Sequence, residues 1–271
     1  MIRLVALDLD GTLLGPNLRV GEADGQAVAA ARDRGVYVVL CTSRWYGLAL
    51  RTAHRLELRT PLVCHNGAHI KEPDEGPELL HLRIPTEAAR EIAAFCDEGG
   101  YETFTTVDGI TYMRTRWEAL IDPARLPTDM RVARTQAEHV TAPATGIIVF
   151  SAEGVRAVVE AFRERYQDAL AFSEAWSGTD QPYVTITAAG VDKGSSLRLV
   201  CEHLGVALEE AMGMGDAAPD VPMFQVAGLG VAMGNASEDV KAKADAVAPS
   251  NTEAGVAWAI RRFVLEEGLP A

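Results

Sequence analysis

Asp8 and Asp10 close an apolar run, Leu4-Val5-Ala6-Leu7, and Gly11-Thr12 follows at once. In an extended chain residues i and i+2 face the same way, so the two carboxylates start on one side of what reads as a buried parallel strand. Acids brought together in this way repel each other and lose hydration, and the pair calls for a cation, a shared proton or a chemical role. Other polar clusters stand far along the chain: Thr42-Ser43-Arg44, His65-Asn66-Gly67, Asp192-Lys193-Gly194, Gly215-Asp216 with Asp220, and Gly234-Asn235-Ala236. Asp8, Asp10, Asp216 and Asp220 are hard oxygen ligands of the kind that favours Mg²⁺. Lys193 at the start of one helix and the Thr42 hydroxyl at the start of another describe a seat for a phosphoryl group.

The elements that must hold these groups read as alternating strands and helices. A strand from Leu4 is followed by an Ala-rich helix over Glu22–Arg34 that closes on Gly35, a strand over Val36–Cys41, a helix carrying Trp45, Leu48, Ala49, Thr52 and Leu56, and a strand over Pro61–Cys64. After about residue 82 the pattern changes. A helix over Thr86–Glu98, a hairpin over Tyr101–Met113 turning at Asp108-Gly109, a strand at Gly146–Phe150, a helix at Glu153–Tyr166 and strands near Leu170–Ser173 and Tyr183–Thr187 carry antiparallel signals. The first alternation then resumes with a helix over Ser195–His203, strands at Ala211–Met214 and Gly228–Ala232, and a last helix from Thr252 to Glu266. The expected fold class is α/β, a doubly wound parallel-sheet core made of residues 1–82 and 190–271 with an inserted α+β domain at 83–189. In such a sheet every polar cluster above gathers at the carboxyl ends of the strands, where ligands bind.

Length and charge bound the partners. The chain has 271 residues, 48% of them hydrophobic, and a net charge of −13, so it can bury a large core and is a poor binder of nucleic-acid backbones. A small phosphorylated substrate stays compatible, because a site makes its own local field. The four cysteines have no zinc-like spacing and read as buried hydrophobes of a reducing compartment. With no long apolar run and a core strand beginning within three residues of Met1, a cytoplasmic protein with no membrane partner is expected.

The segments Asp8-Leu9-Asp10-Gly11-Thr12, Cys41-Thr42-Ser43-Arg44, Asp192-Lys193-Gly194 and Gly215-Asp216 with Asp220 resemble the four ordered motifs of the haloacid dehalogenase superfamily. The insertion, with Asn66-Gly67-Ala68, Gly234-Asn235-Ala236 and Glu253-Ala254-Gly255-Val256-Ala257, is similar to the Cof-like branch and its C2B cap. The resemblance implies a Mg²⁺-dependent phosphatase in which Asp8 is the nucleophile that becomes an aspartyl phosphate. Asp10 would then be the acid and base for leaving group and water. It further implies that Mg²⁺ binds Asp8, the Asp10 backbone carbonyl and Asp216, that Asp220 supports this shell, and that Thr42 and Lys193 hold the phosphoryl oxygens. Arg44, Asn66 and Asn235 carry over as residues that support the ligating side chains from behind or touch the leaving group.

Two other functions fit the same motifs: a phosphotransferase or phosphomutase, and a non-catalytic metabolite sensor. Asp10 argues against the sensor and against an ion-pumping ATPase, where the family has Thr. Tyr112, Trp117, Trp176 and Tyr183 read as core of the inserted domain. The chain departs from the Cof-like pattern at Pro219, where Asn is usual; proline offers neither an amide side chain nor an N–H, so a weaker hold on metal or phosphate is expected.

Overall fold

A computed structural model of the chain describes residues 1–176 and 181–266. Its elements run β1 (Leu4–Leu7), α1 (Glu22–Asp33), β2 (Tyr37–Leu40), α2 (Tyr46–Arg55), β3 (Leu62–Cys64), β4 (His69–Lys71) and β5 (Glu78–His81). They continue with α3 (Thr86–Gly99), β6 (Thr103–Val107), β7 (Ile110–Arg114), β8 (Met130–Val132), β9 (Ala144–Phe150), α4 (Ala152–Phe162), β10 (Leu170–Trp176) and β11 (Pro182–Ala188). The chain closes with α5 (Lys193–Leu204), β12 (Ala211–Gly215), α6 (Val221–Val226), β13 (Leu229–Ala232), α7 (Glu238–Lys241), β14 (Ala246–Val247) and α8 (Gly255–Phe263).

Five strands in the order β14-β13-β12-β1-β2 form a wholly parallel sheet. Its strands alternate between two apolar layers. Val5, Leu7, Val38 and Leu40 pack with Val28, Ala31, Ala53, Val256 and Ile260 of α1, α2 and α8, while Leu4, Ala6 and Val39 pack with Leu197, Val200 and Met223 of α5 and α6. Each fully buried Leu or Val contributes about 1.5–3 kcal/mol over exposure, which is why the strands read as unbroken apolar runs. The fold is therefore α/β with a doubly wound parallel sheet, and a mixed six-stranded sheet, β10-β11-β9-β6-β7-β8, is inserted between its parts. The inserted sheet is antiparallel except for the β7–β8 pair, and α3 and α4 cover it through Ile92, Cys96, Val155, Val158 and Phe162. Its hairpin turns where expected, with Asp108 (φ 47°) and Gly109 (φ 78°) both in the left-handed region that a two-residue turn of this hand needs.

Some elements differ from the sequence expectation. The third strand, β3, joins the parallel sheet only through a Cys41–Val63 bridge, with Thr42 N–H donating to Val63 O at 2.8 Å, and otherwise pairs antiparallel with β4. Pro61 has no N–H to extend a ladder along β2. The resulting β3-β4-β5 sheet was not foreseen, because β4 and β5 are three or four residues long and are separated by Pro73, Gly76 and Pro77. The last helix is shorter than expected: Ser250 Oγ donates to Glu253 Oε2 at 2.7 Å, and Ala254 sits at φ 57° before the helix begins at Gly255. All four cysteines are free and buried, Cys96 under the inserted sheet and Cys41, Cys64 and Cys201 in the layers of the parallel sheet. No helix among the described residues is long and apolar enough to cross a membrane.

Candidate active site

The alternation along β1 continues past its end. Leu9 joins the layer of α1 and α8, so Asp8 faces the α5 side, where Lys193 is the first residue of the helix. Asp192 caps that helix: its side chain accepts the Ser195 N–H at 2.7 Å, and Ser195 Oγ accepts the Asp192 N–H at 2.9 Å. The cap fixes where Lys193 starts. Its Nζ donates to Asp8 Oδ1 at 2.6 Å and to Asp220 Oδ1 at 2.5 Å, and the three side chains are buried. Burial pushes the Asp8 carboxyl well above the usual range, and Lys193 opposes that rise. Burial would lower the Lys193 pKa, but the charges of Asp220 and Asp8 outweigh it and raise it, so the ammonium keeps its proton.

Asp216 and Asp220 lie in the loop after β12. Asp220 closes that loop itself, with Oδ2 accepting the N–H groups of Asp216 at 3.0 Å and Ala217 at 2.9 Å. Pro219 sits in the first turn of the short helix Ala218–Asp220, where its missing N–H costs nothing. Asp216 accepts a bond from Thr12 Oγ1 at 2.8 Å and packs on Gly11, whose φ is +81°. A Cβ on Gly11 would stand 2.2 Å from Asp216 Oδ2, so glycine is required there both by space and by backbone conformation. Burial, then the Asp220 charge, push the Asp216 carboxyl up to about 7.

Asp8, Asp216 and Asp220 each bring a carboxylate oxygen to within 4.8 Å of the others. An all-oxygen donor set of buried and half-buried carboxylates suits a hard divalent cation, which would offset the burial and the mutual repulsion that raise Asp8 and Asp216. The set fits Mg²⁺.

Asp10 stands apart from that trio. Arg44 grips it as a fork, with Nε donating to Oδ2 at 2.6 Å and Nη2 donating to Oδ1. Helix α2 begins at Tyr46 with Trp45 as its cap residue, so Thr42 is not a helix cap; its hydroxyl accepts the Arg44 N–H at 3.1 Å and is fully buried. Ser43, which the sequence reading did not single out, lines the small cavity at Asp8 and Asp10 together with Asn66, Lys193, Ala217, Pro219 and Trp176. Asn66 takes a left-handed conformation at φ 53°, and its buried Oδ1 has no hydrogen-bond partner. Asn235 lies outside this cavity, exposed, with Nδ2 donating to Gly11 O at 2.8 Å and Oδ1 accepting Asn251 N–H at 3.0 Å. It braces the Gly11 loop from behind.

The inserted sheet completes the site. Tyr183 on β11 reaches across to Ser43, hydroxyl to hydroxyl at 3.2 Å, and stands half-buried over the cavity. Trp176 lines the cavity with 67% of its surface exposed, and Trp117 is 55% exposed, so neither is the core residue that its type suggested. A second cavity of about 280 Å³ opens beside the first and shares Asp10, Ser43 and Tyr183 with it. Its other walls are mainly apolar: Trp45, Leu48, Phe104, Ile148 and Phe150.

Comparison with known proteins agrees with this geometry. The model of the haloacid dehalogenase-like hydrolase family matches residues 5–260. The 5-amino-6-(5-phospho-D-ribitylamino)uracil phosphatase YitU of Bacillus subtilis is 26% identical over 96% of this chain and 97% of its own. The pyridoxal phosphate phosphatase YbhA of Escherichia coli is 28% identical over 94% of this chain and 96% of its own. Among solved structures, TM0651 of Thermotoga maritima superposes with a TM-score of 0.77 at 29% identity, covering 97% of this chain and 98% of that one.

Proposed function

The chain belongs to the haloacid dehalogenase-like hydrolases, and from that membership we propose that it is a Mg²⁺-dependent phosphomonoester hydrolase acting through an aspartyl phosphate. The observation that carries the reading is the pair of cavities joined at Asp10, Ser43 and Tyr183: one lined by Asp8 and Lys193, the other by aromatic and aliphatic walls. The first carries the charges that suit a phosphoryl group, though at about 10 Å³ it must widen to admit one, and the second suits a leaving group with an apolar, ring-bearing surface. Both relatives described above carry names of phosphatases whose substrates contain a heterocyclic ring, which supports the same class here.

In this reading an Asp8 oxygen attacks phosphorus while the bond from phosphorus to the ester oxygen breaks, and Asp10 gives its proton to that oxygen. Water then attacks the aspartyl phosphate, Asp10 takes the water's proton, and the bond from phosphorus to Asp8 breaks to return the free carboxylate. Because both Asp10 oxygens are engaged by Arg44, one must leave the guanidinium to meet the leaving group; Arg44 sets the direction from which it comes. Lys193 and the Thr42–Ser43 segment offset and hold the phosphoryl charge. Asp8, Asp216 and the Asp10 carbonyl would hold the cation, which supplies further neutralisation of the phosphoryl oxygens. Residues 83–189 act in this scheme as the domain that closes over the leaving group.

The test is phosphate release from a panel of pyridoxal 5′-phosphate, ribityl and sugar phosphates and a nucleotide, with Mg²⁺. Turnover should stop in EDTA, return with Mg²⁺, and fall by at least ~10³-fold in Asp8→Asn. Undiminished turnover in Asp8→Asn would end the covalent reading, and predominant transfer to an added sugar acceptor would replace hydrolysis by phosphotransfer.

A further inference from the structure

A second set of metal-ligand side chains lies away from the acidic cavity, on the small sheet. His69 of β4 and His81 of β5 are direct cross-strand partners, with rings stacked at 4.2 Å and an interplanar angle of 18°. His69 Nε2 and His81 Nδ1 both converge on Glu78 Oε2, at 3.0 and 2.9 Å, and the three ligand atoms lie within 4.8 Å of one another. They line a cavity of about 670 Å³ between α2 and the inserted sheet. His65 lines the same cavity with 1% of its surface exposed, and neither of its ring nitrogens has a hydrogen-bond partner. A buried imidazole with both nitrogens unspent, facing a His–Glu–His triplet, is an uncompensated polar group that the phosphatase chemistry does not use.

We propose that His69, Glu78 and His81 form a second metal site, for a zinc-class divalent cation, at the junction of the small sheet with the inserted one. Two imidazoles and one carboxylate are borderline-soft donors that select zinc-like ions, unlike the all-oxygen set at Asp8. Three protein ligands leave a fourth position open to the cavity. His81 also has its outer partner in place: with Nδ1 given to the cation, Nε2–H donates to Thr145 Oγ1, 2.9 Å away on β9. Two cations oppose entry. Lys71 lines the cavity, and Arg83 Nη2 stands 3.0 Å from His81 Nδ1, so this exposed guanidinium must swing out as the metal enters. Through Thr145 the bound cation ties β5 to the central part of the inserted sheet.

The probe is Co²⁺ added to the metal-stripped full chain in excess Mg²⁺, which on the functional reading proposed above competes for the acidic cluster. We expect one Co²⁺ per chain with the visible absorption of a four-coordinate cobalt–imidazole site, displaced by Zn²⁺, and a higher melting temperature. His81→Gln should weaken binding by at least ~10-fold and Asp216→Asn should leave it intact. Should His81→Gln not fold, Glu78→Gln serves, since the Glu78 side chain is 41% exposed and its loss leaves the core untouched; the same weakening is expected. A cobalt spectrum that survives His81→Gln or Glu78→Gln unchanged, one that disappears in Asp216→Asn, or no bound cobalt at all would each overturn the site and leave a hydrogen-bonded cluster only.

Discussion

Among the described residues Lys193 is the cation that bridges Asp8 and Asp220, and its value to the fold differs from that of either acid. Removing it in Lys193→Met leaves two buried carboxylates facing each other without the ammonium that contacts both. Breaking a buried ion pair from one side costs about 3–5 kcal/mol, so urea melts should show a loss of that order as well as a loss of turnover. Asp8→Asn is the useful contrast. It removes the nucleophile but leaves the Lys193–Asp220 bond, and because burial already disfavours the charged Asp8, its stability should stay within about 1 kcal/mol of the parent. Equal losses of stability in the two variants would show that Lys193 is not the keystone of the cluster.

At the scale of elements, α1 and α8 are joined by a polar bond inside an apolar layer: Asp24 Oδ1 accepts the Ala257 N–H at 2.8 Å, in the first turn of α8. Burial raises the Asp24 pKa, and the bond from Ala257 and the charge of Arg261 only partly offset it. A carboxyl whose folded pKa is raised binds its proton more tightly when folded, so its contribution is most favourable at low pH and is lost as pH rises through the unfolded and then the folded pKa. Asp24→Asn keeps an acceptor without the charge. Measured by denaturant melts from pH 4 to pH 7, the variant should gain on the parent as pH rises; a constant difference would mean that Asp24 carries no burial cost. The acidic trio and Lys193 could be read in the sequence because each ends a strand or starts a helix, and a parallel sheet has only one carboxyl edge. Trp176 and Tyr183 could not, since their reaching the cavity depends on how the inserted sheet lies over the core, which no local period encodes. The His69–Glu78–His81 triplet was hidden for a related reason: its convergence is set by a cross-strand register that shifts at Ile70–Lys71.

Across the whole molecule, the larger of the two joined cavities lies where two sheets built from distant parts of the chain face each other, and Phe104, Ile148 and Phe150 of the inserted sheet form one wall. Phe150→Ala should raise KM for a ring-bearing phosphate ester by roughly tenfold, about 1.4 kcal/mol, while a short-chain ester such as ethyl phosphate keeps its KM. A parallel rise for both would place Phe150 outside the leaving-group pocket. The buried cysteines carry a consequence of a different kind. Burial pushes the thiols of Cys41 and Cys96 up to about 12 and that of Cys201 up to about 11, and raises Cys64 too, so none offers a thiolate to a disulfide reagent while the chain stays folded. Each thiol is then a clock that starts only when its surroundings open. Cys96 belongs to an apolar cluster that shares no residue with the clusters holding Cys41, Cys64 and Cys201. Reaction with an aromatic disulfide in mild urea should therefore release chromophore in two phases, with Cys96 in a phase of its own, whereas one common phase would mean that the two halves of the molecule breathe as one.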